Sequence, residues 1–308
     1  MSLAKITIVG AGNVGATAAH ILLGMNLADI YMVDVAPGVA EGKALDMMHM
    51  RGNDGFSAKV YGSVDYAMTA ESDIVIVTAG VPRKPGMTRE DLLSVNAGIV
   101  RSVLDGALPA SPNAIYLFVT NPLDVMVNYG FELAKLPANR LFGMGGVLDT
   151  ARFVHAISSR FDCEPTDVEA MVIGAHGEAM LPLPRLAKVA GKPITEVLST
   201  EEIDAVVAET INGGAAIVEL LQTGSAFYAP GASIATMVSE ILRPTGRVLV
   251  VSARLSGQYG ISDVHLGVPV RLGPEGIAEL VELELLDDEL RALRDAAESI
   301  QAQLTLVT

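Results

Sequence analysis

The run Gly10-Ala11-Gly12-Asn13-Val14-Gly15 follows the apolar stretch Lys5–Val9 and opens a helical pattern. That combination leaves few folds open. The first glycine permits a tight turn, the second lets a pyrophosphate approach the backbone, and the third packs helix closely on strand. The helix start adds unpaired N–H groups and a positive dipole end for phosphates. Asp34 closes the next apolar run, Ile30–Val33, 19 residues beyond Gly15. A carboxylate there can accept both ribose hydroxyls and repels a 2′-phosphate, so the expected cofactor is NAD rather than NADP. A glycine-rich turn beside a solvated aspartate would carry the same letters. Strand, spacing and acid together favour the dinucleotide.

The rest of the first half repeats the theme. Ile74–Thr78 and Ile115–Val119 are further near-continuous apolar runs, as expected of parallel strands buried on both faces. Helical patterns fall at Asn13–Gly24, Gly38–Met50, Arg89–Leu104 and Leu123–Ala134, with Gly24 expected to close the first and Pro137 following the fourth. Strand–helix alternation predicts an α/β chain whose N-terminal part, residues 1–145, is a doubly wound parallel sheet. The pattern then changes. A helix at Asp149–Phe161, a strand at Val168–Ile173 and irregular chain at Pro182 and Pro184 come first. Helices at Glu201–Gln222 and Ser233–Leu242 follow, then an antiparallel hairpin of Arg247–Arg254 and Val264–Arg271 turning through Gly257–Gly260. An amphipathic helix over Glu282–Gln303 ends the chain, so residues 146–308 read as a mixed α+β domain.

Composition narrows the partners. The chain has 308 residues, 36 acidic against 21 basic, and a net charge of −15. Such a surface repels nucleic acid and anionic lipid. No apolar run reaches the ~18 residues of a membrane span, and no leader-like segment precedes Lys5, so a soluble cytoplasmic protein is expected. The single cysteine, Cys163, supports neither an internal disulfide nor a metal cluster, and no metal is expected.

Three stretches carry reactive side chains. In Asp149-Thr150-Ala151-Arg152 the carboxylate and guanidinium share a helix face. Taken alone this is an ordinary surface pair. His176, in Gly174-Ala175-His176-Gly177-Glu178, changes the balance, because an Asp–His pair makes an acid/base unit. His20, His49, His155 and His265 sit inside ordinary-looking elements. The third stretch, Ala79–Arg89, follows the Ile74–Thr78 strand and places Arg83, Lys84 and Arg89 within seven residues, giving a loop with anion affinity. Asn121-Pro122 caps the next strand at the same sheet edge, where ligands bind in such sheets.

These segments resemble the lactate/malate dehydrogenase family: Gly10–Gly15, Asp34, AGVPRKPGMTR at 79–89, VTNPLD at Val119–Asp124, GVLDTAR at Gly146–Arg152 and GAHGE at Gly174–Glu178. Gly224–Gly231 (GSAFYAPG) and Gly257–Gly260 (GQYG) are similar to its malate dehydrogenase branch. The resemblance implies a Rossmann domain and hydride transfer between NAD and a 2-hydroxy acid. By it, His176 is the proton donor and acceptor and Asp149 its orienting carboxylate. Arg152 holds the substrate C1 carboxylate, Arg89 polarises the reacting carbonyl, and Asn121 contacts substrate and nicotinamide. Gly10, Gly12, Asn13, Gly15, Asp34, Asn96 and Val119 fall on the cofactor side. Arg83 stands where lactate-specific members carry glutamine, which implies malate and oxaloacetate as substrates. A homotetramer, rather than a homodimer, is the implied assembly. A non-catalytic NAD-binding sensor is the other class of reading, and it would have no use for an Asp, a His and three Arg at these positions.

Overall fold

A computed structural model describes residues 3–82 and 86–307. Its first half runs β1 (Ala4–Val9), α1 (Asn13–Met25), β2 (Ala28–Val33), α2 (Val39–Asp54), β3 (Val60–Ser63), β4 (Ile74–Val77), α3 (Arg89–Ala110), β5 (Ile115–Phe118), α4 (Leu123–Ala134) and β6 (Leu141–Gly143). The strands lie in the order β3-β2-β1-β4-β5-β6, all parallel. Ile74, Val75, Ile76 and Val77 of β4 are fully buried, as the unbroken apolar run requires of a central strand. Strand order reverses between β1 and β4. At that switch point the connections leave in opposite directions, and in sheets of this topology the ligand crevice lies beyond the strands' carboxyl ends there.

The second half contains α5 (Gly146–Phe161), β7 (Val168–Glu169), β8 (Val172–Gly174), β9 (Met180–Pro182), β10 (Lys188–Val189), β11 (Lys192–Pro193), α6 (Thr200–Leu221), α7 (Tyr228–Leu242), β12 (Val248–Ser256), β13 (Ser262–Gly273), β14 (Gly276–Leu280) and α8 (Asp287–Leu304). β12 and β13 form the long antiparallel hairpin, and β12 also pairs with β6 through Ser252 opposite Gly143. The sheet therefore continues β6-β12-β13-β8-β9, with β14 on β13, while β7, β10 and β11 make a separate small sheet.

Several expected boundaries move, each for a local reason. Gly24 does not close α1: the helix runs to Met25, and Asn26 caps it in the left-handed region at φ 54°. The Asn26 side chain then accepts the backbone N–H groups of Ser57 and Ala58, leading the chain into β3. α3 passes Leu104 and carries Pro109 in its last turn. The strand expected over Val168–Ile173 is two strands in two sheets, parted at Ala170-Met171, where the Met171 carbonyl accepts the Leu183 N–H at 3.0 Å. α8 starts at Asp287 rather than Glu282, after Glu289 has reached back to the Leu286 N–H at 2.9 Å. The short strands β3, β6, β9, β10, β11 and β14 were not expected.

Candidate functional site

Gly10 lies at φ 104°, and a Cβ there would stand 2.7 Å from the Ala79 nitrogen, so β1 can reach the crevice beside β4 only through glycine. A Cβ at Gly15 would collide with the Gly10 carbonyl oxygen. Gly12 differs from both. Its φ of −68° suits any residue, and among the described residues nothing lies within 4 Å of a Cβ built there. The protein's own packing gives no reason for glycine at this position. A ligand that must approach the backbone does. Among the described residues no side chain caps α1, so its first N–H groups, behind the exposed Asn13, face the same space.

Asp34, just past β2, braces this turn. Its Oδ2 accepts the Ala11 N–H at 2.8 Å and its Oδ1 accepts the Ala36 N–H at 3.0 Å. The Lys43 ammonium, from α2, donates to the Ala11 carbonyl at 2.6 Å. This lysine carried no signal in the sequence. The open space over Gly12, the unpaired helix N-terminus and a carboxylate at the end of β2 fit a dinucleotide.

The loops after β4 and β5 meet at Asn96 of α3, which is 1% exposed. Its amide oxygen accepts the Val81 N–H at 2.9 Å, and its amide nitrogen donates to the carbonyls of Val81 at 3.2 Å and Asn121 at 2.7 Å. Among the described residues the hydrogen bonds of this side chain all go to backbone, which ties the two loops together. Val119, half-buried, continues β5, and Asn121 is exposed beyond it.

The acid/base pair is formed. Asp149, 1% exposed in the first turn of α5, places Oδ2 at 2.8 Å from Nδ1 of His176 and Oδ1 at 3.2 Å from Nη1 of Arg152. Burial works against the His176 imidazolium, but the Asp149 charge and hydrogen bond, reinforced by Asp124, outweigh it. Arg152 opposes them, and the net displacement is upward from the ordinary histidine value. Arg152 lies against α6 at Gly213 and Gly214, where a Cβ on Gly214 would stand 3.3 Å from Nη2. Consecutive glycines keep room for the guanidinium.

Arg89 begins α3 behind a capping box of Thr88 and Asp91. Its side chain is 72% exposed and pairs at 3.3 Å with Glu178, two residues past His176. The guanidinium is therefore held beside the His176 turn by a side chain rather than turned onto the Asp149–His176 pair. Arg83 lies outside the described residues. Among the described residues no group of three or more His, Cys, Asp and Glu could hold a metal, and no helix is long and apolar enough to cross a membrane. Glu178 and Asp124 lie inside the GAHGE and VTNPLD segments, where no role was expected of them. Lys43, Ser252 and Gly213-Gly214 gave no sequence signal.

Residues 4–143 match the model of the lactate/malate dehydrogenase NAD-binding domain, and residues 146–308 match that of the lactate/malate dehydrogenase α/β C-terminal domain. The malate dehydrogenase of Roseiflexus sp. (strain RS-1) is 46% identical over 300 residues, 97% of each chain. The crystal structure of Cryptosporidium parvum malate dehydrogenase superposes with a TM-score of 0.96 at 44% identity, covering 99% of both chains. The lactate dehydrogenase of the same organism, solved with lactic acid and nicotinamide adenine dinucleotide, reaches 0.96 at 36% identity over 100% of this chain and 98% of that one. A glycine turn shaped for a dinucleotide and a buried carboxylate shared between a histidine and an arginine meet in a chain matched over nearly its whole length, and the chain belongs to the lactate/malate dehydrogenase family.

Proposed function

We propose that the chain is an NAD-dependent malate dehydrogenase, interconverting (S)-malate and oxaloacetate, with residues 1–145 serving the cofactor and 146–308 the substrate. The observation that carries this is Asp149 shared between His176 and Arg152. It sets a proton-transfer group and a carboxylate-binding group side by side in a buried site. Bound NAD supplies the hydride acceptor. Gly10, Gly12, Asn13 and Gly15 hold its pyrophosphate, Asp34 its ribose hydroxyls, and Val119 lines its pocket. Asn96 acts through the loop backbones it joins.

With Nδ1 bonded to Asp149, the Nε2 of His176 is the atom that takes the malate hydroxyl proton and returns it in reduction. Arg152 holds the C1 carboxylate in a planar fork. Arg89, released from Glu178, stabilises charge on the ketone oxygen of oxaloacetate, and Asn121 fixes the reacting carbon's neighbours. Arg83 meets the second carboxylate, the group that distinguishes oxaloacetate from pyruvate. The relatives named as malate dehydrogenases support that choice.

The test is a steady-state comparison of oxaloacetate, pyruvate and 2-oxoisocaproate with NADH, for the wild type and Arg83→Gln. Oxaloacetate should be strongly preferred. Arg83→Gln should cut its kcat/KM by ~10²–10³ and raise that of pyruvate, because each mismatch leaves one charge without its partner. An unchanged oxaloacetate/pyruvate ratio would rule out Arg83 as the selecting residue.

We also place the protein in the cytoplasm as a homo-oligomer, a tetramer before a dimer. α6 supports the assembly: of its 22 residues, Val206 and Thr210 are buried. Leu220 is 84% exposed, its helix neighbours Val218 and Leu221 are exposed too, and so is Tyr228 at the start of α7. Apolar exposure of this kind supports an interface between copies.

A further inference from the structure

His176 sits in a bend between β8 and β9, outside any helix or strand. Its N–H donates instead to Oδ2 of Asp124 at 2.7 Å, across 52 residues of sequence. The other oxygen of Asp124, Oδ1, accepts the Ser252 hydroxyl at 2.6 Å, from the middle of β12. Asp124 is 5% exposed and Ser252 fully buried. An acid in the first turn of a helix is ordinary where it caps or faces solvent. Here it does neither: α4 has no side-chain cap, and both carboxylate oxygens point away to other elements. Burial pushes the Asp124 carboxyl above the ordinary carboxylate range, and the bonds from Ser252 and the His176 N–H work in the other direction, toward the ionised form. A buried charge is costly as mere glue, since a neutral amide could join the same two groups.

We propose that Asp124, braced by Ser252, is a positioning residue for His176: it fixes the peptide that carries the imidazole and sets a second buried negative charge beside it. This rests on the assignment of His176 as proton donor and acceptor. The charged groups facing the ring are Asp149 and Arg152 from α5 and Asp124 from α4. Asp124 acts with Asp149, and Arg152 against both. Because the brace runs from α4 to β12, the position of the reacting histidine depends on the hairpin of the second half as well as on the turn that bears it.

Asp124→Asn separates charge from shape, because the amide oxygen can accept the His176 N–H while the amide nitrogen donates to Ser252. NADH affinity and thermal midpoint should stay near wild type, while kcat/KM for oxaloacetate falls by about tenfold. The alkaline limb of oxaloacetate reduction and the acid limb of malate oxidation should both move to lower pH, since both report one group that has lost a stabilising anion. Wild-type pH midpoints in Asp124→Asn would overturn the proposal. Full turnover in His176→Asn would instead remove the assignment beneath it, and that control is read first. Should Asp124→Asn not fold, amide hydrogen exchange in the wild type still decides. The His176 N–H should exchange as slowly as strand amides despite lying in a bend, and fast exchange would refute the bond.

Discussion

The Nδ1 atom of His176 lies 2.8 Å from Oδ2 of Asp149, a carboxylate withdrawn almost wholly from solvent. The bond fixes both the ring's orientation and the site of its proton, leaving Nε2 as the nitrogen not engaged by Asp149. Replacing His176 by Asn should lower turnover by ~10²–10⁴ with NADH binding nearly intact. Asp149→Asn removes the anion that raises the His176 pKa, so the alkaline limb of oxaloacetate reduction, which needs the protonated ring, should move to lower pH. Loss of NADH affinity in both variants would mean that these residues hold the fold rather than the reaction.

Arg89 and Glu178 pair in the open, at 72% and 88% side-chain exposure, where an ion pair adds little stability. Glu178→Gln should therefore leave the thermal midpoint unchanged and should not lower kcat/KM for oxaloacetate. Arg89→Gln should cost ~10²–10³ in kcat/KM, the usual loss for a group that stabilises a developing oxyanion. Equal effects of the two substitutions would show that the pair itself, and not the freed guanidinium, serves the reaction.

Gly10 and Gly12 should respond oppositely to a methyl group. Gly10→Ala puts a side chain at φ 104° against Ala79 and should cost about 1–3 kcal/mol of stability in urea unfolding. Gly12→Ala meets no described neighbour within 4 Å and should unfold as the wild type does. Its NADH dissociation constant should nonetheless rise at least ~10-fold, by about 1.4 kcal/mol. A Gly12→Ala protein that binds NADH normally would put the pyrophosphate elsewhere.

Asp34 should set the choice between cofactors. A 2′-phosphate would meet its carboxylate in a partly desolvated site, so NADH should be preferred over NADPH by at least ~100-fold. Asp34→Ser keeps an acceptor for the turn while removing the charge, and should narrow that ratio. Comparable wild-type rates with NADPH would contradict the assignment.

His265 gives a pH dependence of stability. It is completely buried on β13, with Nδ1 3.2 Å from the Asn128 side-chain oxygen and its ring 5.0 Å from that of Phe131. Burial, and after it the charge of Arg254, pushes its pKa down from 6.5 to about 3. The neutral ring is favoured in the fold, so its stabilising effect is complete above about 6.5. It is lost progressively as pH falls toward 3, because only the unfolded chain takes up the proton. Urea midpoints at pH 7 and pH 5 should differ less in His265→Gln than in the wild type.

What could be read from the sequence was whatever depended on neighbours along the chain. Leu123–Ala134 is the observed α4 to the residue, and Ile74–Val77 declared itself a central strand by having no polar side. β3 did not, because Val60–Ser63 contains Gly62, where a side chain would collide with Ala40 of α2. That demand comes from Ala40, 22 residues earlier in the chain. The site divides along the same line. Asp149 and Arg152 share one helical turn and were legible together. The bond from Ser252 to Asp124 spans 128 residues, and the pairing of Arg89 with Glu178 spans 89, so neither leaves a local trace.

The pairing of Ser252 with Gly143 carries one sheet through both halves of the chain. The nucleotide half is consequently not a portable module. Cut after residue 145, it would present β6 as a bare edge with an unpaired row of backbone groups. The Ser252 hydroxyl would be missing from Asp124 as well. Heat or urea would meet the two halves as one cooperative body. Loss of the reacting histidine's site and loss of the dinucleotide's site would then fall in a single transition, whichever probe records it.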